Sequence, residues 1–343
     1  MIRSLTAVIR QLSTIPDSGA GPGDLGQLVS AVIAPLVPHE GIQLFGSSPA
    51  LTTRMASFGF IHGYERDFAR ALGTAILSGV DPYPREVLES LPVPAAVVGA
   101  DAKGDKEIRR LLAGHGVGCE LRVLLRDNRG VWGAISLLRG QGSRAFEPGE
   151  VGLVAGLTPV LIDILRWHVT AAPLAATAPP VPAGVVIVGP DHQVRSMTPQ
   201  ARQWLDRMSE HAPDGDWCAG LPALISLQLR GIRPQTAPFV GPAASFGRWT
   251  AAHGQFLDGD EDGQVAVIIE SAGSGLVLPS FCQWYDITAR ERLVLQRTLD
   301  GSPTKLIARH LGLSAYTVSE HLQSLYRKTG VSGRGELISA LAG

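Results

Sequence analysis

The sequence predicts a multidomain α+β protein: two antiparallel sheets with covering helices, followed by an all-α segment. Three observations carry this. The chain has 343 residues, 45% of them hydrophobic, which exceeds one ordinary core and points to two or three domains. Two stretches, within 1–170 and 184–270, alternate short apolar runs with Gly, Pro or Asn breaks, the signature of strands and hairpins. From residue 284 onward the apolar residues instead recur at helical spacing, with capping residues between them.

Two low-pattern stretches separate these parts. Residues 171–183 combine Ala with four prolines and read as a semi-extended linker. Residues 271–283 begin flexible and turn apolar, so this second linker is expected to dock its far end on a neighbour. The expected divisions are thus 1–170, 184–270 and 284–343.

In the first part, Asp24 is placed to cap a helix through Leu25, Leu28, Val29, Val32 and Ile33, ended by Pro35 and Pro38. Gly41–Phe45 and Ala56–Phe60 are strand candidates, and Tyr64–Leu77 an amphipathic helix. Cys119–Leu125 and Val131–Leu138 are apolar runs joined by Arg126-Asp127-Asn128-Arg129-Gly130, a hairpin signal. Pro148 suits a first helical turn, and the apolar stretch to Trp167 predicts one long closing helix.

This order resembles a GAF domain over most of 20–169, most clearly from Gly116 to Arg166. The resemblance implies a sheet enclosing a small-molecule pocket, and Phe58, Phe60 and Trp132 are the pocket candidates, with ordinary core packing as the competing reading. Of the longer signature of cyclic-nucleotide members, only Phe146 and Glu150 are present. The middle part resembles a PAS domain: Ala183–Val194 reads as strand, turn and strand, and a helix begins around Ala201, Trp204 and Leu205. Arg248–Phe256 and Gln264–Glu270 then close a hairpin around Asp258-Gly259-Asp260-Glu261-Asp262-Gly263. That acidic loop lacks the twelve-residue ligand spacing and flanking helices of a calcium-binding EF-hand, and reads as a solvated hairpin tip.

The last part carries the most specific signals. Thr288 and Glu291 form a capping box, followed by the buried-side residues Val294, Leu295 and Leu299. Ser302 and Pro303 are placed as N-cap and first turn of a helix over 304–311. Gly312 permits a sharp turn, and Ser314 caps a third helix of about fifteen residues. On that helix Val318, Leu322 and Leu325 fall on one face, and Tyr316, Ser319, Glu320, Gln323 and Arg327 on the other. The polar face has base-reading chemistry: Gln pairs bidentately with adenine, Glu accepts from cytosine N4, and Ser serves either role. Lys305, Thr317, Lys328 and Arg334 are the phosphate candidates.

The spaced residues Thr288-Ala289-Arg290-Glu291, Lys305-Leu306-Ile307-Ala308, Leu313-Ser314-Ala315-Tyr316-Thr317-Val318, His321 and Lys328-Thr329-Gly330-Val331 closely resemble the LuxR-type DNA-binding domain over about 286–341. The resemblance implies an all-α four-helix LuxR-type helix-turn-helix domain whose last helix, from Arg334 to Leu341, forms dimer contacts. Family members commonly carry Lys where this chain has Ser319, and a neutral residue where it has Glu320. The implied partners are double-stranded DNA, a second copy of the chain, a small-molecule ligand and RNA polymerase.

Charge and missing motifs narrow the function. Residues 284–343 carry net +3 and the remainder −4, fitting a phosphate-facing module on an acidic body. No Gly-x-x-x-x-Gly-Lys-Ser/Thr loop, Gly-x-Ser-x-Gly elbow or HExxH is present, so no enzyme activity and no cofactor is expected. His115 and Cys119 form the one sequence-level argument for haem or metal. Cys119, Cys218 and Cys282 build no CxxC, and the longest apolar run, 151–165, is too short for a membrane span, so a cytoplasmic protein is expected. The alternative to a ligand sensor is a ligand-free interaction and dimerisation module on the same DNA-binding tail.

Overall fold

A computed structural model describes residues 4–17, 19, 24–51, 55–99, 106–211, 220–231, 237–257 and 263–341. The first region contains α1 (Leu5–Ser13), α2 (Leu25–Ile33), β1 (Gly41–Gly46), β2 (Phe58–His62), α3 (Arg66–Ser78), α4 (Arg85–Ser90), β3 (Ala95–Gly99) and α5 (Lys106–Gly114). It continues with the hairpin β4 (Val117–Asp127) and β5 (Gly130–Gly140), then α6 (Pro148–Ala155) and α7 (Thr158–Ala171). Its strands form one antiparallel sheet in the order β2-β1-β5-β4-β3. Asp24 precedes α2 as expected but makes no side-chain capping bond. The single closing helix expected over 148–167 is two helices bent by 43°, broken at Gly156 and Leu157. Pro159 lies in the first turn of the second helix, where a missing N–H costs nothing.

The second region contains β6 (Gly184–Val188), β7 (Val194–Met197), α8 (Pro199–His211), α9 (Leu221–Arg230), β8 (Phe239–Gly241), α10 (Ala243–Phe246), β9 (Thr250–Phe256) and β10 (Val265–Ser271). Its antiparallel sheet has the order β7-β6-β10-β9-β8, the same sequential pattern as the first. The expected acidic hairpin tip, residues 258–262, lies outside the described residues. Among those described, no group of three His, Cys, Asp or Glu side chains could hold a metal ion.

Residues 271–283, expected as a linker, instead begin as strand and run into α11 (Ser274–Trp284). The apolar residues that made this end a docking segment explain the helix: Val277, Leu278, Phe281, Cys282 and Trp284 are buried in one cluster with Trp132 and Leu165. That cluster runs on into the core of the C-terminal helices α12 (Ala289–Leu299), α13 (Thr304–Leu311), α14 (Ala315–Thr329) and α15 (Arg334–Leu341). No single described helix is long and apolar enough to cross a membrane.

Strand alternation divides the first sheet into two unlike faces. On the inner face Ile42, Leu44, Phe58, Phe60, Trp132, Ile135 and Leu137 pack with helices α1, α2, α6 and α7. His168 of α7 is buried there between the Phe58 and Phe60 rings (centroids 5.0 and 4.8 Å). Its Nε2 meets Ser245 Oγ of α10 at 2.9 Å, joining the two regions, and burial pushes its pKa down to about 4. Phe146 and Glu150 are likewise structural: the Arg139 guanidinium lies 4.0 Å over the Phe146 ring and pairs with Glu150 at 2.8 Å. The outer face of the sheet is covered by α3, α4 and α5, and only partly.

Candidate DNA-reading surface and ligand cavity

The C-terminal helices are held by local bonds that the sequence specifies. Thr288 and Glu291 close their capping box: the Thr288 N–H donates to Glu291 Oε2 at 2.8 Å, and Glu291 N–H donates back to Thr288 Oγ1 at 3.3 Å. Ser314 Oγ accepts the Thr317 N–H at 3.0 Å and starts α14. Between α13 and α14, Gly312 takes φ +64°, a left-handed conformation that a side chain would strain. The expected cap Ser302 sits one residue early. Pro303 occupies the N-cap of α13, and the Ser302 carbonyl instead accepts from Arg334.

On α14, Val318, Leu322 and Leu325 are buried, while Tyr316, Ser319, Glu320, Gln323 and Arg327 are exposed on the opposite side. Tyr316 is the most prominent at 73% exposure. Ser319 Oγ donates to the Ala315 carbonyl at 3.0 Å, and Arg327 reaches Ser324 at 3.2 Å, so neither is committed to the core. Among the phosphate candidates, Lys305 is exposed and Thr317 is half-buried beside Ser314. Lys328 and Arg334 turn inward. The Lys328 ammonium donates to Glu291 Oε2 and to the Asp286 carbonyl, both at 2.7 Å. Arg334 donates to the carbonyls of Ser302 (2.7 Å) and Thr298 (3.4 Å), satisfying the exposed end of α12. Both cations are consumed by the scaffold because buried acceptors nearby need them. Burial alone would raise the Glu291 carboxyl, but hydrogen bonds from Lys328, Ser324 and Thr288 outweigh it and hold its pKa at about 2.

A second candidate site lies on the outer face of the first sheet. A cavity of about 210 Å³ opens between β1, β4, β5, α3 and α9, so both regions contribute to its wall. Most of the lining is apolar, including Phe45, Leu72, Ile76, Leu124 and Val131. Its buried polar part is a cluster in which Arg122 pairs with Asp81 and, at 3.0 Å, with Glu120, while Arg70 and Arg85 also reach the lining and pair with Asp67 and Glu89. Arg122, Asp81 and Glu120 are buried, at 6%, 4% and 0% exposure. Burial acts to lower the Arg122 pKa, but the two carboxylates raise it above its ordinary value, so it stays charged.

Phe58, Phe60 and Trp132, the pocket residues expected from sequence, do not line this cavity. They lie on the other face of the sheet, because successive residues of a strand point to opposite sides. Gln43, Asp81, Glu120, Arg122 and Ser136 were missed. A signal existed: Glu120 and Arg122 are charged residues two apart in the otherwise apolar run Cys119–Leu125, and so share one face.

Strand β5 connects cavity and reader. Val131 and Gly133 line the cavity, while Trp132 between them points across the sheet to Trp284 of α11, 5.1 Å between ring centroids. Gly133 takes φ +151°, and a Cβ there would lie 1.9 Å from the Phe45 carbonyl oxygen. At the start of the same strand's hairpin, Arg129 pairs with Asp286 at 2.9 Å, at the junction between α11 and α12. Asp286 itself has φ +55°.

The C-terminal geometry defines a helix-turn-helix reader carried on an α+β body. Comparison with known proteins agrees: residues 286–341 match the model for bacterial regulatory proteins of the luxR family. A curated relative, the monoamine regulon transcriptional regulator of Klebsiella aerogenes, is 43% identical over 53 residues. That match covers 16% of this chain and 23% of the relative. Among solved structures, Escherichia coli SdiA aligns over 98% of this chain and 96% of its own at 10% identity and TM-score 0.38. The phycocyanobilin-bound GAF domain of a cyanobacterial phytochrome aligns over 49% of this chain and 97% of its own at 13% identity and TM-score 0.34.

Proposed function

We propose that the protein is a DNA-binding transcription regulator in which the GAF-like region senses a small molecule and controls the LuxR-type reader. The observation that carries the reading of DNA is the exposed polar face of α14, set on a rigid buried stripe behind a capped turn. In a helix-turn-helix such a face enters the major groove. Two copies, paired through α15, would place two reading helices on half-sites about one helical turn apart, where the bound regulator can meet RNA polymerase. Sensing is supported by the cavity and by β5, whose alternate residues touch the cavity and the helix leading into the reader. A ligand that binds one arrangement of these elements more tightly shifts the population toward it.

Binding to operator fragments, found by genome-wide mapping and measured by fluorescence anisotropy, tests the reader. Gln323→Ala should lose about 1–3 kcal/mol of discrimination at one base pair with unchanged thermal stability. Lys305→Ala should weaken all sequences and reduce the salt slope by about 1. Lys328→Met should lower stability and leave that slope unaltered. A uniform loss across sequences for Gln323→Ala would remove it from the reading face. For the sensor, mass spectrometry of protein released from its native host should reveal a co-purifying small molecule; its absence favours a ligand-free interaction module.

A further inference from the structure

We propose that the cavity takes a small, largely apolar molecule bearing a protonated amine, received by Asp81, Glu120 and Gln43. This rests on the ligand-cavity reading above and names the ligand's chemical class. Within the buried cluster two carboxylates face one guanidinium, and the two other arginines that line the cavity, Arg70 and Arg85, pair with carboxylates outside it, Asp67 (3.1 Å) and Glu89 (2.8 Å). The cluster is also unbalanced in hydrogen bonding. Arg122 spends Nε and Nη2 on Glu120 (3.3 and 3.0 Å), and Nη1 on Asp81 and the Tyr83 carbonyl (3.4 Å). That uses four of its five N–H groups. Among the described residues each carboxylate oxygen, by contrast, accepts a single bond: Asp81 Oδ1 from the Tyr83 N–H (3.2 Å), and the other three from Arg122. Each therefore retains a second lone pair.

The surplus is negative and accepting, so its complement is positive and donating. An anionic ligand would meet arginines already engaged by carboxylates and would place its charge beside two buried acids, which is costly. Gln43 extends the acceptor set. Its strand register pairs it with Ser136, which pairs in turn with Arg122, so the three residues form a row across the sheet face that lines the cavity. Gln43 is only 3% exposed and lines the cavity. Two carboxylates and one amide carbonyl match the three donors of an ammonium group. The apolar wall of Phe45, Met55, Leu72, Ile76 and Leu124 suits a hydrocarbon body.

Isothermal titration of the full chain with hexylamine, hexan-1-ol and hexanoate separates the possibilities, because the three share one body and differ in the head group. Hexylamine should bind about tenfold tighter than the alcohol, with the carboxylate weakest. Glu120→Gln should bring the amine-to-alcohol ratio toward one, and its alcohol affinity reports whether the cavity remains intact. If that variant fails to fold, Gln43→Leu leaves the ionic cluster in place and should still lower the ratio several-fold. Equal or tighter binding of alcohol or carboxylate, no binding of any of the three, or an unchanged ratio in the folded variants overturns the amine assignment. The sensing reading is judged separately, by the co-purifying molecule.

Discussion

The two sheets share one strand order and end up with different interiors. In the first, α3, α4 and α5 cover the outer face incompletely, leaving about 210 Å³ around the buried cluster of Asp81, Glu120 and Arg122. In the second, α8 and α9 lie on the sheet and large rings fill the space: Trp204, Phe239 and Phe246 are 0–2% exposed. A void of about 10 Å³ remains there beside Ile225, Leu229 and His253, room for one water at most. The Trp204 indole N–H is itself satisfied, donating to the Pro182 carbonyl at 3.0 Å. Shared topology therefore does not imply a shared role. What fills the face between sheet and helices decides whether a region can hold a ligand or only support its neighbour. The second region does support the first, since Gly220 and Leu224, at the start of α9, complete the cavity wall.

Three measurements break or sharpen this contrast. The largest effect is expected from truncation in the filled core. Trp204→Ala should cost about 3–5 kcal/mol, whereas Leu124→Ala at the cavity wall should cost about 2 kcal/mol, because part of its surface already faces open space. Denaturant unfolding measures both, and equal costs would mean that the cavity is not open in solution. Next, Arg122→Met should cost about 3–4 kcal/mol at pH 8 by leaving Asp81 and Glu120 buried and unpaired. The cost should shrink at pH 5, because unpaired buried carboxylates protonate more readily; a penalty independent of pH would mean that the two acids are not confined together.

The smallest effect concerns the bond between the two regions. The His168 pKa falls from 6.5 to about 4 on folding, through burial. Its contribution is complete above pH 6.5 and is lost as the pH falls toward 4, about 2 kcal/mol having gone by pH 5. His168→Gln should flatten the stability profile over that interval. An unaltered profile would show that His168 is not buried neutral against Ser245.

The sequence by itself determined the reader. Its capping box, the Gly312 turn, the Ser314 cap and the two faces of α14 all depend on residues within a few positions of one another, where helical geometry leaves little choice. The strands of both hairpins were legible for the same reason. Three things were decided only in the folded molecule. Lys328 and Arg334 went to scaffold acceptors, Glu291 with the Asp286 carbonyl and the Ser302 and Thr298 carbonyls, up to 42 residues away. The presumed second linker became a helix because a buried apolar surface was there to receive it. The cavity moved to the face opposite Phe58, Phe60 and Trp132, gathering Gln43, Asp81, Arg122 and Leu224 from distant parts of the chain. Local sequence sets a helix cap or a strand's alternation, but whether a sheet face is filled or left open depends on side-chain volumes from several elements, and these meet only when the chain is packed.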